Sequence, residues 1–273
     1  MFKAFETHKR TRLYVEIGRG SVTADATDTS ESTVEVTGEH SDQVIVEQNG
    51  DQISVLAPKL RTGFFGGEAN LIVTVTVPTN SELSVKTGSA DIHASGTWST
   101  TQIKSGSGQV RVDSIDASAV VETGSGDISV GRILEEARIK SGSGDVHVQE
   151  AGSSTAVSVG SGDVAIGQAA GPTVVKTGSG DLRIATADGD VSMSTGSGDA
   201  VVERLNRGKF SLKGASGDVA VGIPAGIPIW TDISSVSGRV RSDLEGAGSP
   251  EDGQDYIELR AKTVSGDITL KQL

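Results

Sequence analysis

The sequence predicts an all-β protein built as a single-stranded parallel β-solenoid, or β-helix, with about 18 residues in each coil. Three observations support this fold. Glycines recur at a constant step of 18 residues, apolar residues alternate with other residues on both sides of each glycine, and aromatic residues make up only 3% of the chain, so the core must be thin and aliphatic. The recurring glycines are Gly88, Gly106, Gly124, Gly142, Gly160, Gly178, Gly196 and Gly214.

The segment after each recurring glycine predicts a short strand. One copy reads Gly124-Ser125-Gly126-Asp127-Ile128-Ser129-Val130, in which Ile128 and Val130 face inward and Ser129 faces outward. The same alternation recurs in the other copies. The two inward columns are Ile92, Val110, Ile128, Val146, Val164, Leu182 and Ala200, and then Ala94, Val112, Val130, Val148, Ile166, Ile184 and Val202.

A second strand is predicted before each glycine, with inward residues three and five positions upstream of it. Stacking the copies then pairs each strand with its equivalent in the next coil, in parallel and in register. Nine positions after each glycine, where the chain rounds a corner, a further inward residue is expected. These corner residues are Thr97, Ile115, Ile133, Ala151, Ala169, Ala187, Leu205 and Ile223.

Eighteen residues would also accommodate three hexapeptides, the repeat of the left-handed triangular β-helix. That fold requires an apolar residue at every sixth position, and the inward positions of this repeat do not follow that spacing. A flattened coil of two strands fits better, and the handedness stays open.

The two ends depart from the period. Residues 1–82 are predicted to form a β-rich N-terminal cap continuous with the regular solenoid at residues 83–222, with a hairpin turn at Asn49-Gly50-Asp51. Residues 223–273 are predicted to form irregular C-terminal coils, with an exposed loop at residues 245–255.

Composition and charge exclude several functions. The chain has no cysteine, so disulfides and thiolate chemistry are excluded. A formal charge of −12 disfavours nucleic-acid partners and anionic membranes. We find neither a secretory signal nor an apolar run of membrane-spanning length, so membrane insertion is not expected and a cytoplasmic location is predicted. Association with the cell envelope stays open.

A column of aspartates follows the turns, and it is the one candidate metal site. Stacked carboxylates could bind calcium, although the known nonapeptide β-roll repeats its glycines and aspartates every nine residues. The favoured interpretation is that each Asp bonds its own turn and is partly balanced by Lys86, Lys104, Lys140 or Lys176. No metal or cofactor is therefore predicted. The calcium alternative involves Asp127, Asp145, Asp163, Asp181 and Asp199.

Phe64 and Phe65 are the candidate partner-binding residues. They are two of only five phenylalanines, and glycines flank them on both sides. An exposed aromatic pair on a loop can bind a protein partner. The alternative is that the pair packs beneath the cap, and this packing interpretation is favoured.

With its recurring Gly-Ser-Gly-Asp-Val/Ile-x-Val phrase, β-rich opening region and closing Val264-Ser265-Gly266-Asp267-Ile268, the sequence resembles the DUF4097 family, also called the putative adhesin family of β-strand repeat proteins. The resemblance spans residues 13–270. It implies a β-solenoid, and it carries over no catalytic or binding residue.

The leading functional hypothesis is a non-enzymatic scaffold or adhesin-like module that binds an unidentified protein partner as a monomer or dimer. A carbohydrate- or calcium-binding module that uses the Asp column is the alternative. A polysaccharide-active β-helix enzyme is a third hypothesis with less support, since such chemistry requires a cleft walled by long loops.

Overall fold

The computed structural model describes residues 1–58, 69–245, 248, 253 and 256–273. It divides into two compact units, Met1–Glu135 and Glu136–Leu273. The strands of the first unit are β1 (Phe2–Glu6), β2 (Arg12–Thr27), β3 (Glu31–Gly38), β4 (Ile45–Asn49), β5 (Gln52–Leu56), β6 (Asn70–Pro78), β7 (Glu82–Trp98), β8 (Thr101–Ser107), β9 (Val110–Ile115), β10 (Ala119–Thr123) and β11 (Ile128–Ile133). A short 3-10 helix spans Ser41–Gln43.

The second unit consists of strands and their connections. Its strands are β12 (Ala137–Ser141), β13 (Val146–Ala151), β14 (Thr155–Ser161), β15 (Val164–Ala169), β16 (Thr173–Ser179), β17 (Leu182–Ala187), β18 (Val191–Ser197), β19 (Ala200–Leu205), β20 (Gly208–Ser216), β21 (Val219–Ile223), β22 (Ile229–Ser235), β23 (Val240–Ser242), β24 (Ile257–Ser265) and β25 (Ile268–Gln272). No α-helix occurs among the residues described.

The regular coils confirm the predicted parallel β-solenoid. Within the second unit, β12 pairs in parallel with β14 and β13 with β15, in a register that matches residues 18 apart, such as Ile139 with Val157 and Val146 with Val164. Ile139, Val146 and Val164 are each no more than 1% exposed. Alternation therefore places the aliphatic columns in the core and the intervening residues outside, as the sequence predicts.

One corner residue differs from the prediction. Trp98, not Thr97, fills the first corner: it is completely buried and pairs with Ile115, because an irregularity between Ala94 and Thr97 shifts the register by one residue. The Trp98 Nε1–H donates a hydrogen bond of 3.0 Å to the Ser95 carbonyl. A β-bulge admits one extra residue and redirects the side chains that follow it, so a larger side chain reaches the core here.

The first coil of the chain is inserted between two later coils. Leu13 of β2 pairs in parallel with Leu83 of β7 on one side and with Ile53 of β5 on the other. Farther along β2, Val22 pairs with Ile92 of β7 on one side and with Val73 of β6 on the other. The Leu13–Leu83 separation of 70 residues is not a multiple of 18, and this explains why residues 1–82 show no period although β2 forms a coil of the solenoid.

Antiparallel strands complete the outer part of the first unit. β4 pairs with β5, β3 pairs with β6, and β1 pairs with β3. The β4–β5 hairpin joins Asn49 to Gln52, and Gly50 has the left-handed φ of 62° that the predicted turn requires. Antiparallel pairing at these positions interrupts the parallel stacking.

The last coil of the second unit is likewise inserted. Leu212 of β20 pairs with Ala261 of β24, and Ala261 pairs on its other side with Ile233 of β22. In the same coils, β25 pairs with β21 on one side and with β23 on the other. Spatial order and chain order therefore differ, since the coil of β22 and β23 lies outside the coil that ends the chain.

Candidate functional site: the Asp column and an exposed terminal face

The Asp column forms a hydrogen-bonded ladder between coils. The backbone N–H of Asp163 donates to Oδ1 of Asp145 at 2.8 Å, that of Asp181 to Asp163 at 2.8 Å, and that of Asp199 to Asp181 at 2.7 Å. The series continues through Asp218 to Asp267, each bond being 2.7 Å long. The favoured interpretation placed each bond within its own turn, whereas here it joins neighbouring turns.

This ladder has a clear physical role. Each carboxylate accepts the N–H that the next turn would otherwise leave to water, and such a charge-assisted bond offsets the repulsion between stacked acids. Asp127, in the first unit, occupies the equivalent turn, and its carbonyl accepts the N–H of Val110 at 2.9 Å. Among the described residues, no group of three or more His, Asp or Glu side chains is arranged to hold a metal ion. Calcium binding stays the alternative interpretation of this column.

Two of the lysines predicted to balance the ladder pair with glutamates instead. Lys86 Nζ is 3.3 Å from Glu16 Oε1, and Lys104 Nζ is 3.5 Å from Glu122 Oε2. These glutamates lie on neighbouring strands of the same sheet, where parallel register brings them opposite the lysines. The expectation that Lys86 and Lys104 balance the Asp column is therefore wrong.

Phe64 and Phe65 lie outside the described residues, so their assignment as partner-binding residues stays a prediction. Among the described aromatic residues, Trp230 stands out, because it is 50% exposed and lies on β22 with the guanidinium carbon of Arg260 5.3 Å from its ring centroid. A cation over an indole face is attracted by the ring quadrupole.

Trp230 and Arg260 belong to a face that we call the terminal face, the outward side of β20, β24 and β22. Its residues alternate with the buried Phe210, Leu212, Leu259 and Ala261. Parallel register arranges them in three rows across the three strands, and a fourth row follows in which Val236 comes directly after Ser235, the last residue of β22. In order, the rows are Lys209, Glu258 and Trp230; Ser211, Arg260 and Asp232; Lys213, Lys262 and Ser234; and Ala215, Val264 and Val236.

The last row replaces a glycine column with apolar side chains. In the regular coils this turn position is glycine, for instance Gly178 and Gly196, because a Cβ at either would lie 2.7 Å from the carbonyl oxygen of the preceding coil. In the terminal coils the position is occupied by Val264, which is 56% exposed, and by Val236, which is 81% exposed. The repeat therefore changes here from a closely stacked turn to an exposed apolar edge.

The charged rows of the face are joined by ion pairs. Glu258 accepts hydrogen bonds from Lys209 Nζ at 2.8 Å and from Arg260 Nη2 at 2.5 Å. The Lys209 hydrogen bond is the largest cause that holds the pKa of Glu258 below its usual value, and the charge of Arg260 adds to it. Lys262 Nζ lies 3.5 Å from Asp232 Oδ2. These contacts link charged side chains on all three strands of the face.

A shallow depression of about 590 Å³ adjoins the face. Its wall includes Asp188, Asp190, Arg207, Lys209 and Tyr256, the last of which is 53% exposed. The acids already have protein partners: Asn206 Nδ2 donates to Asp188 Oδ1 at 2.7 Å, and the Lys209 backbone N–H donates to Asp190 Oδ1 at 2.9 Å. The depression thus extends the polar surface of the terminal face.

Sequence reasoning did not find the terminal face. Its residues come from segments up to 55 positions apart in the chain, the separation between Lys209 and Val264. One signal was nevertheless present in the sequence. The turn phrase Val-Ser-Gly occurs at Val236 and Val264, where the regular repeat has Gly-Ser-Gly, and this substitution is confined to the C-terminal coils.

The fold and the repeat define the chain as a parallel β-solenoid protein. A model of the Toastrack DUF4097 family matches residues 11–171 and 161–271. The chain therefore belongs to the DUF4097 family. No helix of the described residues is both long and apolar enough to cross a membrane.

Three solved structures resemble the chain at low sequence identity. A putative adhesin from Bacteroides fragilis NCTC 9343 is 15% identical, with 81% of this chain and 96% of that chain covered and a TM-score of 0.48. A putative adhesin from Parabacteroides distasonis ATCC 8503 is 17% identical, with 82% and 96% covered and a TM-score of 0.49. A putative lipid binding protein from the same organism is 11% identical, with 99% and 96% covered and a TM-score of 0.47.

Comparison with curated proteins found no match. The family assignment therefore rests on the family model, which covers nearly the whole chain.

Proposed function

We propose that this protein is a non-enzymatic, adhesin-like scaffold that binds a protein partner through the terminal face. The observation that carries the proposal is the exposed row Val236, Val264 and Ala215, at a turn position where the regular coils have glycine. Adjacent exposed apolar side chains favour contact with another macromolecule over contact with water.

The chemistry of the face supports a protein partner. Trp230 and Arg260 are of the residue types that contribute most to protein interfaces. Arg260 lies on β24 with Val264, and Trp230 lies on β22, which Val236 directly follows. Full burial of a valine side chain contributes about 1.5–3 kcal/mol. Val236 and Val264 could therefore supply a large part of the free energy of binding.

The buried side chains beneath the terminal face indicate that its surface is preorganised for binding. Phe210, Leu212 and Leu259, whose neighbours in sequence form the face, are each 3% exposed or less. A side chain on a well-packed sheet loses little conformational freedom on binding, which leaves more of the contact energy as affinity.

The test is the double variant Val236→Asp/Val264→Asp, used as bait in affinity purification from cells that contain the natural partner. We expect the captured partner to be lost while the melting temperature stays within a few degrees of wild type. The matched control is Ile72→Asp/Leu134→Asp, which adds the same charges at two exposed apolar positions of the first unit. Capture that survives in Val236→Asp/Val264→Asp, or that is lost equally in the control, would contradict the proposal.

Phe64 and Phe65 provide a second candidate surface. Replacing both with alanine should weaken capture without a change in melting temperature if they bind a partner. If they pack beneath the cap, the melting temperature should fall and the partner should be retained.

A further inference from the structure

The second unit carries a positively charged sheet face, although the whole chain has a formal charge of −12. We call it the basic face: it comprises the outward side of β12, β14, β16 and β18 together with the terminal face, which continues the same sheet. Its acids are Asp232 and Glu258. Its cations are Arg138, Lys140, Lys176, Lys209, Lys213, Arg260 and Lys262.

Two lysines on this face lie directly opposite each other. Lys213 of β20 pairs in register with Lys262 of β24. Neighbouring like charges on adjacent strands destabilise a sheet. Lys262 is partly compensated by Asp232 at 3.5 Å. Within the part of the chain that the structure describes, Lys213 has no carboxylate partner, so an external anion placed beside it would relieve the repulsion.

Lys176 extends the positive row along the sheet. Parallel register places it two strands from Lys213, with Ser194 between them. At the spacing of adjacent strands, the two ammonium groups project from positions roughly 10 Å apart. Lys176 also lacks an ion-pair partner among the described residues. An extended acidic segment that crosses the strands could contact both lysines.

The apolar row beside the lysines narrows the class of partner. Val264 lies two residues beyond Lys262 on the same strand, on the same outward side. A polysaccharide has no aliphatic side chains to place against Val264 and Val236. A protein segment that combines acidic and aliphatic residues can satisfy both rows.

The turn that follows the apolar row disfavours a membrane surface. Asp218 and Asp267 lie at the turn directly after Ala215 and Val264. A flat anionic bilayer that contacted the valine row would also meet these carboxylates and be repelled. A narrow peptide can contact the lysine and valine rows without covering the Asp column.

We infer that the basic face, with its valine row, binds an acidic, leucine- or valine-containing segment of a protein partner. This inference rests on the proposed function and names the chemistry of the partner. Its electrostatic part is long-ranged and screened by salt, so affinity must fall as ionic strength rises.

The experiment measures fluorescence anisotropy of a fluorescein-labelled peptide of Glu residues with interspersed Leu, titrated with the full chain. We expect saturable binding that salt weakens, and a dissociation constant raised about tenfold or more in Lys176→Glu/Lys213→Glu. The control Arg111→Glu/Lys271→Glu makes the same charge change away from the basic face and should stay within about twofold of wild type. If the glutamate variant does not fold by circular dichroism, Lys176→Gln/Lys213→Gln replaces it.

Three further probes test the class of partner: a poly-Glu peptide without Leu, sodium polygalacturonate and phosphatidylglycerol vesicles. Each should bind more weakly than the Glu/Leu peptide. Binding of any of them as tightly as the Glu/Leu peptide or more tightly, or equal weakening in the two charge variants, would overturn the inference.

The two proposals fail in different ways. If partner capture requires Val236 and Val264 but is unchanged in Lys176→Glu/Lys213→Glu, the scaffold proposal stands and the acidic-partner inference fails. If capture survives in Val236→Asp/Val264→Asp, the proposal that the partner binds through the terminal face fails whatever the peptide assay shows.

Discussion

The backbone N–H of Asp181 donates a hydrogen bond of 2.8 Å to Oδ1 of Asp163, one coil earlier in the chain. The same bond recurs between successive coils of the second unit. An acidic column that would otherwise repel itself thus contributes a hydrogen bond to each turn.

Removing one carboxylate from the ladder should destabilise the solenoid modestly. We expect Asp163→Ala to lower the free energy of unfolding by roughly 1 kcal/mol, because the Asp181 N–H loses its acceptor at an exposed site. Asp163→Asn should cost less, since its amide oxygen can still accept the bond. Urea denaturation of both variants measures the difference. Equal losses for Ala and Asn would show that charge, and not the hydrogen bond, is what matters.

Calcium should not stabilise the protein. One oxygen of each of Asp145, Asp163 and Asp181 already accepts a backbone N–H, and calcium requires six to eight oxygen ligands. We therefore expect the same melting temperature with millimolar calcium and with a chelator. An upward shift that disappears in Asp163→Asn would instead support the calcium alternative.

A methyl group in the glycine column should be poorly tolerated. A Cβ at Gly178 would lie 2.7 Å from the Gly160 carbonyl oxygen, so the two coils would have to separate. We expect Gly178→Ala to cost roughly 1–3 kcal/mol, the usual effect of overpacking. Gly214 belongs to the 18-residue series in the sequence, but in the structure it lies opposite Thr195 and outside the glycine column. Gly214→Ala is therefore the matched control, because its Cβ would meet nothing closer than Thr195 Cγ2 at 3.4 Å. A thermal melt that ranks the two variants in the opposite order would refute this account.

The ion pairs of Glu258 should make part of the stability depend on pH. Lys209 and Arg260 lower the pKa of Glu258 in the folded state. A depressed carboxyl pKa stabilises the fold above the pKa of the unfolded state, and this stabilisation is lost as the pH falls through the folded-state value. We expect Glu258→Gln to be less stable than wild type at pH 7, with the difference shrinking below about pH 4.5. Chemical denaturation across this range measures it, and a difference independent of pH would contradict the assignment.

The inward aliphatic columns show how much of the core the local alternation of residues predicts. Alternation alone predicts that Val146, Val164 and Leu182 lie in the core, and each is 1% exposed. Thr97 was assigned to the core by its position in the repeat and is replaced there by Trp98, because a bulge shifts the register. A bulge arises from the pairing of two neighbouring strands. The periodicity of one strand therefore does not predict where a bulge occurs.

The candidate site was less predictable than the fold. Lys86 and Lys104 were assigned to the Asp column from their distance along the chain, yet their carboxylate partners are Glu16 and Glu122 on neighbouring strands. Glu16 lies 70 residues from Lys86. The pairing follows from the insertion of β2 beside β7, and no period in the sequence reports that insertion.

The sequence by itself determined the repeat length, the inward aliphatic columns and the turn chemistry, because each depends on a few consecutive residues. Only the tertiary structure decided that β2 and β24 are inserted between other coils, and that Lys213, Lys262 and Val236 share one face. The physical reason is that alternation determines which side of a strand faces the core, whereas the choice of neighbouring strand depends on residues far away in the chain.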